Sequence, residues 1–251
     1  MQQHLKEIRD QLRPYKDKKG DEDYKAFRAK TTKLENWGIR LPELHQVARQ
    51  QFSWLDKTDA EILKIWDYIW KNAKVHEAMS IPLFYYVDHR AELDLKEWKV
   101  LKTWINRIEN WEHSDFLSSL YSVLLERHPE IVYPQLQKWN SSKYSWERRN
   151  SIVPLIYYAS PRRTPPPANK ILPLIKNLLH DQDPYVQKGV GWTLRECGKI
   201  YPAQTWKFLV RHICDLAPVS FSYATEKITK PQKQKLKKLR EKRKCKKAMS
   251  S

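Results

Sequence analysis

Apolar residues recur at helical spacing along almost the whole chain, and few non-helical folds tolerate that pattern. Ile62, Ile65, Trp66 and Ile69 fall at i, i+3, i+4 and i+7 within Ala60–Trp70. Leu93, Leu95, Trp98, Leu101, Trp104, Ile105 and Ile108 continue the pattern. Further helices are predicted over 115–127, 130–139, 144–159, 169–180, 184–199 and 203–214. Pro42, Pro129, Pro184 and Pro202 each sit near a first helical turn, where a missing N–H matters least. Only five glycines occur in 251 residues. That is too few for the turns and phosphate loops of an α/β nucleotide binder or an all-β sandwich. The segment Ser160-Pro161-Arg162-Arg163-Thr164-Pro165-Pro166-Pro167 reads as a stiff polyproline loop.

Charge narrows the functional classes. Lys and Arg total 47 against 29 Asp and Glu, a net charge of +18. Residues 227–251 hold 12 of those cations and one acid, Glu241, which is +11; residues 1–226 carry the remaining +7. The expected division is a helical domain over 1–226 and a basic, disordered arm or frayed helix over 227–251. A polycation of this kind adheres to nucleic acid by displacing counterions, although it can also simply solubilise. No run of about 18 apolar residues suits a membrane span. The amino-terminal residues lack the apolar core of a signal peptide. The expected location is therefore the cytoplasm or nucleoid of a bacterium, or the nucleus of a eukaryote. The three cysteines, Cys197, Cys214 and Cys245, form no CxxC pair and read as two core thiols and one tail thiol. Eight scattered histidines form no HxxxH or HxH pair, so neither a metal nor a cofactor is expected.

A weak repeat closes the body. Ser145-Trp146-Glu147-Arg148-Arg149 and Pro184-Tyr185-Val186-Gln187-Lys188 each open a helix, 39 residues apart. A paired-helix unit near 40 residues is the period of HEAT-type solenoids, which curve and leave a concave face. An all-α solenoid of antiparallel helix pairs is the expected fold.

Two helices carry unusual polar faces. On a helical wheel, Trp111, Asp115, Ser118 and Ser122 cluster on one side, with Phe116, Leu117, Leu120, Val123 and Leu124 opposite. An aromatic beside a carboxylate on a core-averse face suggests a site; alternatively Trp111 caps a neighbouring helix and Asp115 merely suits the helix dipole. His113 points away from Asp115 and reads as structural or solvent-facing. In the second helix, Val186, Val190, Leu194 and Cys197 form the apolar stripe. Tyr185, Lys188, Trp192 and Arg195 lie elsewhere, two aromatics interleaved with two cations, as phosphates and stacked bases require. Gly189 and Gly191 inside that helix imply close approach of a ligand or of another backbone.

Asn110-Trp111-Glu112-His113-Ser114-Asp115, Glu126-Arg127-His128-Pro129-Glu130, Trp146-Glu147-Arg148-Arg149 and Gly191-Trp192-Thr193-Leu194-Arg195-Glu196 resemble the DNA alkylation repair family of AlkD-type glycosylases, over roughly residues 20–215. The resemblance implies a HEAT-like fold and excision of positively charged N3- or N7-alkylated purines, of the 3-methyladenine and 7-methylguanine type, from duplex DNA in base excision repair. It implies that Asp115 and Trp111 are catalytic, that Arg149 contacts phosphate, that Trp192 is a second cleft aromatic, and that the base need not be flipped out. Arg148 competes with Arg149 for its role, and Lys188, Arg195 and Tyr185 complete the expected DNA contacts. Arg149 and Trp192 are expected on opposite sides of the damaged strand. Tyr24, Phe27 and Trp37 lie near the family's amino-terminal aromatic without aligning to it. A monomer is expected. The alternative is a DNA-binding helical-repeat protein without catalysis.

Overall fold

The computed structural model describes residues 1–16, 22–157 and 164–248, and among these the regular structure is helical, without a strand. The chain forms two compact units, Met1–Leu124 and Leu125–Ser251. No helix among the described residues is long and apolar enough to cross a membrane.

The first unit contains α1 (Gln2–Leu12), α2 (Glu22–Ala29), α3 (Leu41–Ala48), α4 (Asp59–Asn72), α5 (His76–Asp88), α6 (Leu95–Trp104) and the start of α7 (Trp111–Arg127). Capping boxes start two of them. Thr58 and Glu61 satisfy each other's backbone donors at α4, and Asp94 and Glu97 do so at α6. Helix α5 packs against α1, α3 and α4 and is buried almost throughout, from His76 to Phe84. Indoles fill the core. Trp70 stacks on Trp104 at 4.9 Å, and its Nε1 donates to the Trp104 carbonyl at 3.1 Å. Trp104 Nε1 in turn donates to Asp67 at 2.9 Å, so neither buried N–H is stranded. The Arg107 guanidinium closes the end of α4 by donating to the Trp70 and Ala73 carbonyls. Gly38 takes φ 69°, the left-handed region, in the loop that leads into α3.

The second unit contains α8 (Pro129–Trp139), α9 (Ser145–Asn150), α10 (Ala168–Asn177), α11 (Pro184–Ile200), α12 (Pro202–Arg211), α13 (Pro218–Ala224) and α14 (Lys230–Ala248). The four predicted proline starts all open a helix, α3, α8, α11 and α12. The helix predicted over 144–159 does not run its full length. Pro154 removes an N–H and crowds the preceding turn, so α9 stops at Asn150 and a 3-10 turn spans Val153–Ile156. The two segments of the 39-residue repeat both open helices, but α9 has six residues and α11 has 17. Ser160–Arg163 of the proline-rich loop lie outside the described residues. Beyond them Pro167 has polyproline dihedrals, φ −64° and ψ 154°. The basic stretch, expected as a disordered arm or frayed helix, is helical over Lys230–Ala248, and Leu236 within it is fully buried.

Helix α11 is the axis of the second unit. Val186, Val190, Leu194 and Cys197 are fully buried, as the predicted stripe requires. Asp183 caps its start, accepting from the Tyr185 and Val186 N–H groups. Gln187 donates to the carbonyls of Leu178, Leu179 and Asp181, at and beyond the end of α10. Gly191 lies where α13 crosses. A Cβ there would meet Tyr223 Cβ at 2.6 Å and the Ser220 carbonyl oxygen at 2.7 Å. Alanine in a helix ordinarily gains about 1 kcal/mol over glycine. At position 191 that gain reverses, and Gly191→Ala is expected to lose about 1–3 kcal/mol through overpacking. Gly198, whose Cβ would meet only Thr205 Cγ2 at 3.9 Å, supplies the control. Urea unfolding should rank Gly198→Ala at or above wild type and Gly191→Ala below it.

Candidate functional site

Trp111 and Asp115 stand one helical turn apart at the start of α7, and both are half-buried. The wheel placed Ser118 and Ser122 beside them on a polar, core-averse face. The structure corrects this, because Ser118 is fully buried and Ser122 nearly so. Phe116 and Val123, assigned to the core face, are half-exposed instead, while Tyr121 is fully buried with its hydroxyl donating to the Leu101 carbonyl at 2.7 Å. Small hydroxyl side chains let α7 pack on more than one side, which a two-sided wheel cannot show.

Around that helix start lies a buried polar network that the sequence did not reveal. Arg28 on α2 donates from Nη1 to Glu77 Oε1 of α5 at 2.9 Å. Its Nε and Nη2 donate to the two carboxylate oxygens of Glu112 on α7 at 2.7 and 3.2 Å. This paired geometry uses the planar fork that only arginine offers. Glu77 also accepts from the Trp37 and Ile39 N–H groups. Burial drives its carboxyl above the usual range, against the pull of those donors and of Arg28. The rings of His76 and His113 stack at 4.2 Å, and His76 Nε2 lies 3.3 Å from Glu112. The Ser80 hydroxyl donates to the His76 carbonyl, so its oxygen accepts from His113 Nε2, 2.9 Å away, which places the His113 proton on Nε2. His113 Nδ1 then accepts from Asn110 at 3.2 Å. His113 is thus structural and buried.

Burial lowers the pKa of His76 to about 3, with Arg28 adding to the effect, and burial lowers that of His113 well below its ordinary value. Both histidines are neutral in the folded protein. The unfolded chain binds protons that the folded one refuses, so stability is lost as pH falls below about 6.5, by about 1.4 kcal/mol per pH unit for each histidine. Glu77, with its raised pKa, works in the opposite sense. Urea unfolding at pH 7.5, 6.5 and 5.5 should show a steeper acid loss for wild type than for His76→Phe/His113→Phe. Equal slopes would mean that the pair does not remain neutral.

The other six candidates belong to the second unit, and the structure separates them. Arg149 is 4% exposed, and its Nη1 donates to the Tyr185 carbonyl at 2.6 Å. Its guanidinium lies 5.8 Å from the Trp192 ring centre, and Tyr157 packs on the same indole at 5.3 Å. Arg149 and Trp192 therefore form one stacked pair, not two sides of a strand. The close passage of Arg149 explains Gly189, whose Cβ would meet its Nη1 at 3.2 Å. Lys188 lies over Tyr185 at 4.9 Å, and Tyr185 leans on Trp146 at 5.2 Å. These contacts gather Trp146, Arg149, Tyr185, Lys188 and Trp192 into one cation–aromatic cluster.

Arg148 and Arg195 turn to partners inside the protein. Arg148 makes a two-point ion pair with Asp181, at 2.5 and 3.1 Å, and also donates to the Ser142 and Lys143 carbonyls. Arg195 pairs with Glu196 and Glu226. Wheel position alone could not foresee this, since Asp181 and Glu226 are distant in sequence. Trp37 is buried, donates to Glu35 at 2.8 Å, and has Lys16 and Arg9 over its ring. The side chains of Tyr24, Phe27 and Cys245 lie outside the described residues. Burial raises the Cys197 thiol far above its ordinary range, which makes it inert. No group of three or more His, Cys, Asp or Glu residues suited to a metal ion occurs among the described residues.

The described residues of both units form an all-α scaffold, and the sequence gives the family directly. Residues 8–228 match the DNA alkylation repair enzyme family, and the chain belongs to it. The fold is similar to that of a predicted DNA alkylation repair enzyme from Enterococcus faecalis, with TM-score 0.73 and 14% identity, covering 86% of this chain and 97% of that one. It is also similar to AlkD2 from Streptococcus mutans, with TM-score 0.53 and 18% identity, covering 83% and 99%. No curated protein sequence matches the chain.

Proposed function

We propose that the protein is a DNA glycosylase that releases N3- and N7-alkylated purines from duplex DNA, acting as a monomer in the compartment that holds the DNA. The observation that carries this reading is the placement of Trp111 and Asp115, one turn apart at a helix start that Arg28 ties to α2 and α5, in a member of a DNA alkylation repair family. An alkylated purine already bears positive charge, so it leaves without an added proton. As the C1′–N bond breaks, its electron pair passes to the base and neutralises it. The sugar left behind is an oxocarbenium-like cation. The Asp115 carboxylate opposes that charge. The Trp111 π face adds about 0.5–2 kcal/mol of cation attraction. A water held by Asp115 then adds at C1′ and gives its proton to the carboxylate. No metal or cofactor takes part.

The cation–aromatic cluster of α9 and α11 holds DNA in this reading, with Lys188 and Arg149 for phosphate and Tyr185 for stacking, while Trp192, which the structure buries, backs the Arg149 guanidinium. Arg149→Ala should weaken DNA binding by about 1–3 kcal/mol, the scale of charged hydrogen bonds. Arg148→Ala should act differently. It leaves the buried Asp181 carboxylate with the Asp183 N–H but without its counter-charge, so it should lower stability by a similar 1–3 kcal/mol and leave the affinity of the folded protein near wild type. Titration of a labelled duplex beside urea unfolding separates the two. The reverse assignment, with Arg148→Ala abolishing binding and Arg149→Ala silent, would move the phosphate contact by one residue. Incubation of alkylated duplex DNA with the protein, followed by measurement of free methylated bases, tests the activity itself. Tight binding with no release would leave a DNA-binding protein without catalysis.

A further inference from the structure

Helix α14 lies beyond the residues that match the family, which end at 228, and it is more than a charged tail. We propose that Lys235, Lys238 and Lys242 on α14 form a separate binding site for the phosphate backbone of duplex DNA, held in fixed register by Leu236 and Arg240. The proposal rests on the reading that the protein works on DNA.

Two anchors set the orientation of the helix. Leu236 is fully buried, and α14 packs on α12. One turn later Arg240 donates from Nη2 to the Leu216 carbonyl at 2.5 Å and lies 5.1 Å from the ring centre of Phe221 on α13. Residues 236 and 240 share one face of the helix, so 235, 238 and 242 fall on the opposite one. All three lysines are exposed, and together they form a stripe about 10 Å long at 1.5 Å rise per residue. That length corresponds to about three phosphates along one strand. Only one carboxylate, Glu241, occurs in residues 227–251, and Glu226 just before them is paired with Arg195 and Lys227.

The anchors also tie the stripe to the rest of the second unit. Phe221 sits on α13, whose Ser220 hydroxyl bonds to Gln187 on α11 at 2.5–2.8 Å and whose backbone meets Gly191. The lysine stripe is therefore held in fixed relation to Tyr185, Lys188 and Trp192 on the same α11. An arm without structure would lose backbone freedom on binding, and a seated helix has already lost it. An anionic membrane is the weaker partner. Lying in a bilayer surface needs an apolar face, and α14 spends Leu236 on packing, with Leu239 already half-buried.

The test measures binding of the full chain to an unmodified duplex across a salt series, so that it does not depend on excision. Lys235→Gln/Lys238→Gln/Lys242→Gln should lower the slope of log affinity against log salt by about 2–3, at about 0.9 per phosphate, with affinity at low salt falling about tenfold or more. Leu236→Gln leaves every cation in place but unseats the helix. It should lose affinity too, while thermal melting shows the rest of the protein still folded. A wild-type slope in the triple variant overturns the site, whether or not the wild type excises bases. Unchanged affinity in Leu236→Gln overturns the anchored arrangement and returns α14 to a loose arm. Loss of binding to phosphatidylserine vesicles with the duplex slope intact would overturn the site in favour of a membrane. A lowered slope in a protein that releases no alkylated base would keep this site and reject the glycosylase.

Discussion

Arg28→Ala should lower the unfolding free energy by about 3–5 kcal/mol, the range seen when one partner of a buried ion pair is removed. Arg28 is 3% exposed and is shared by two carboxylates, Glu77 at 0% and Glu112, whose side chain is 12% exposed. Without the guanidinium, Glu77 keeps only its backbone donors, and burial pushes its carboxyl still further toward the neutral form. Arg28→Lys should recover part of the loss, since an ammonium restores charge but cannot bridge Glu77 and Glu112 with a planar fork. Because Arg28 joins α2 and α5 to the start of α7, the variant should also loosen the turn that bears Trp111. Amide exchange at the start of α7 should rise ahead of global unfolding. A change below about 1 kcal/mol in urea unfolding would mean that the network contributes little, as exposed pairs do.

Much of the fold was legible because its helices are amphipathic. Helices α4, α6 and α8 each bury one stripe, and the stripe repeats every 3.6 residues, whereas α11 buries Trp192, Thr193 and Glu196 besides its apolar stripe. Helix α5 was not legible for the opposite reason. It is buried on nearly every side, so His76 to Phe84 show no stripe, and Pro82 interrupts the pattern further. The stop at Asn150 was written in Pro154, but periodicity alone carried the helix through it. The short α13 carried no signal of its own; Gly191 hinted at a close neighbour without saying which.

The candidate site divides along the same line. Trp111 and Asp115 are four residues apart on one helix, so their proximity follows from helical geometry alone. The Arg28 network joins residues 49 and 84 positions apart, and only tertiary packing brings them together. Arg148 stood as a competitor to Arg149, and Arg195 as a DNA contact, because the carboxylates that engage them, Asp181 and Glu226, are remote in sequence. Tail charge was plain from composition, whereas the seat for Leu236 was not.

The largest functional effect is expected at Asp115. Asp115→Asn keeps the shape of the side chain and removes its charge. If the carboxylate opposes an oxocarbenium ion, its contribution arises chiefly in the transition state, and the variant should lose excision far more than affinity. A loss of about 10²–10³ in rate is the scale for removing one electrostatic stabiliser. Trp111→Ala should weaken both binding and excision, because an aromatic face contributes to the ground-state complex as well as to the cation. Uncharged lesions should be poor substrates for the wild type, since Asp115 as a carboxylate cannot protonate a neutral leaving base. The decisive measurement is single-turnover release of methylated purines from alkylated duplex DNA by wild type and Asp115→Asn, each at saturating protein, with affinity for the same duplex measured in parallel. Release slowed about a hundredfold or more at nearly unchanged affinity is the expected result. Equal release by the two proteins would contradict a catalytic Asp115.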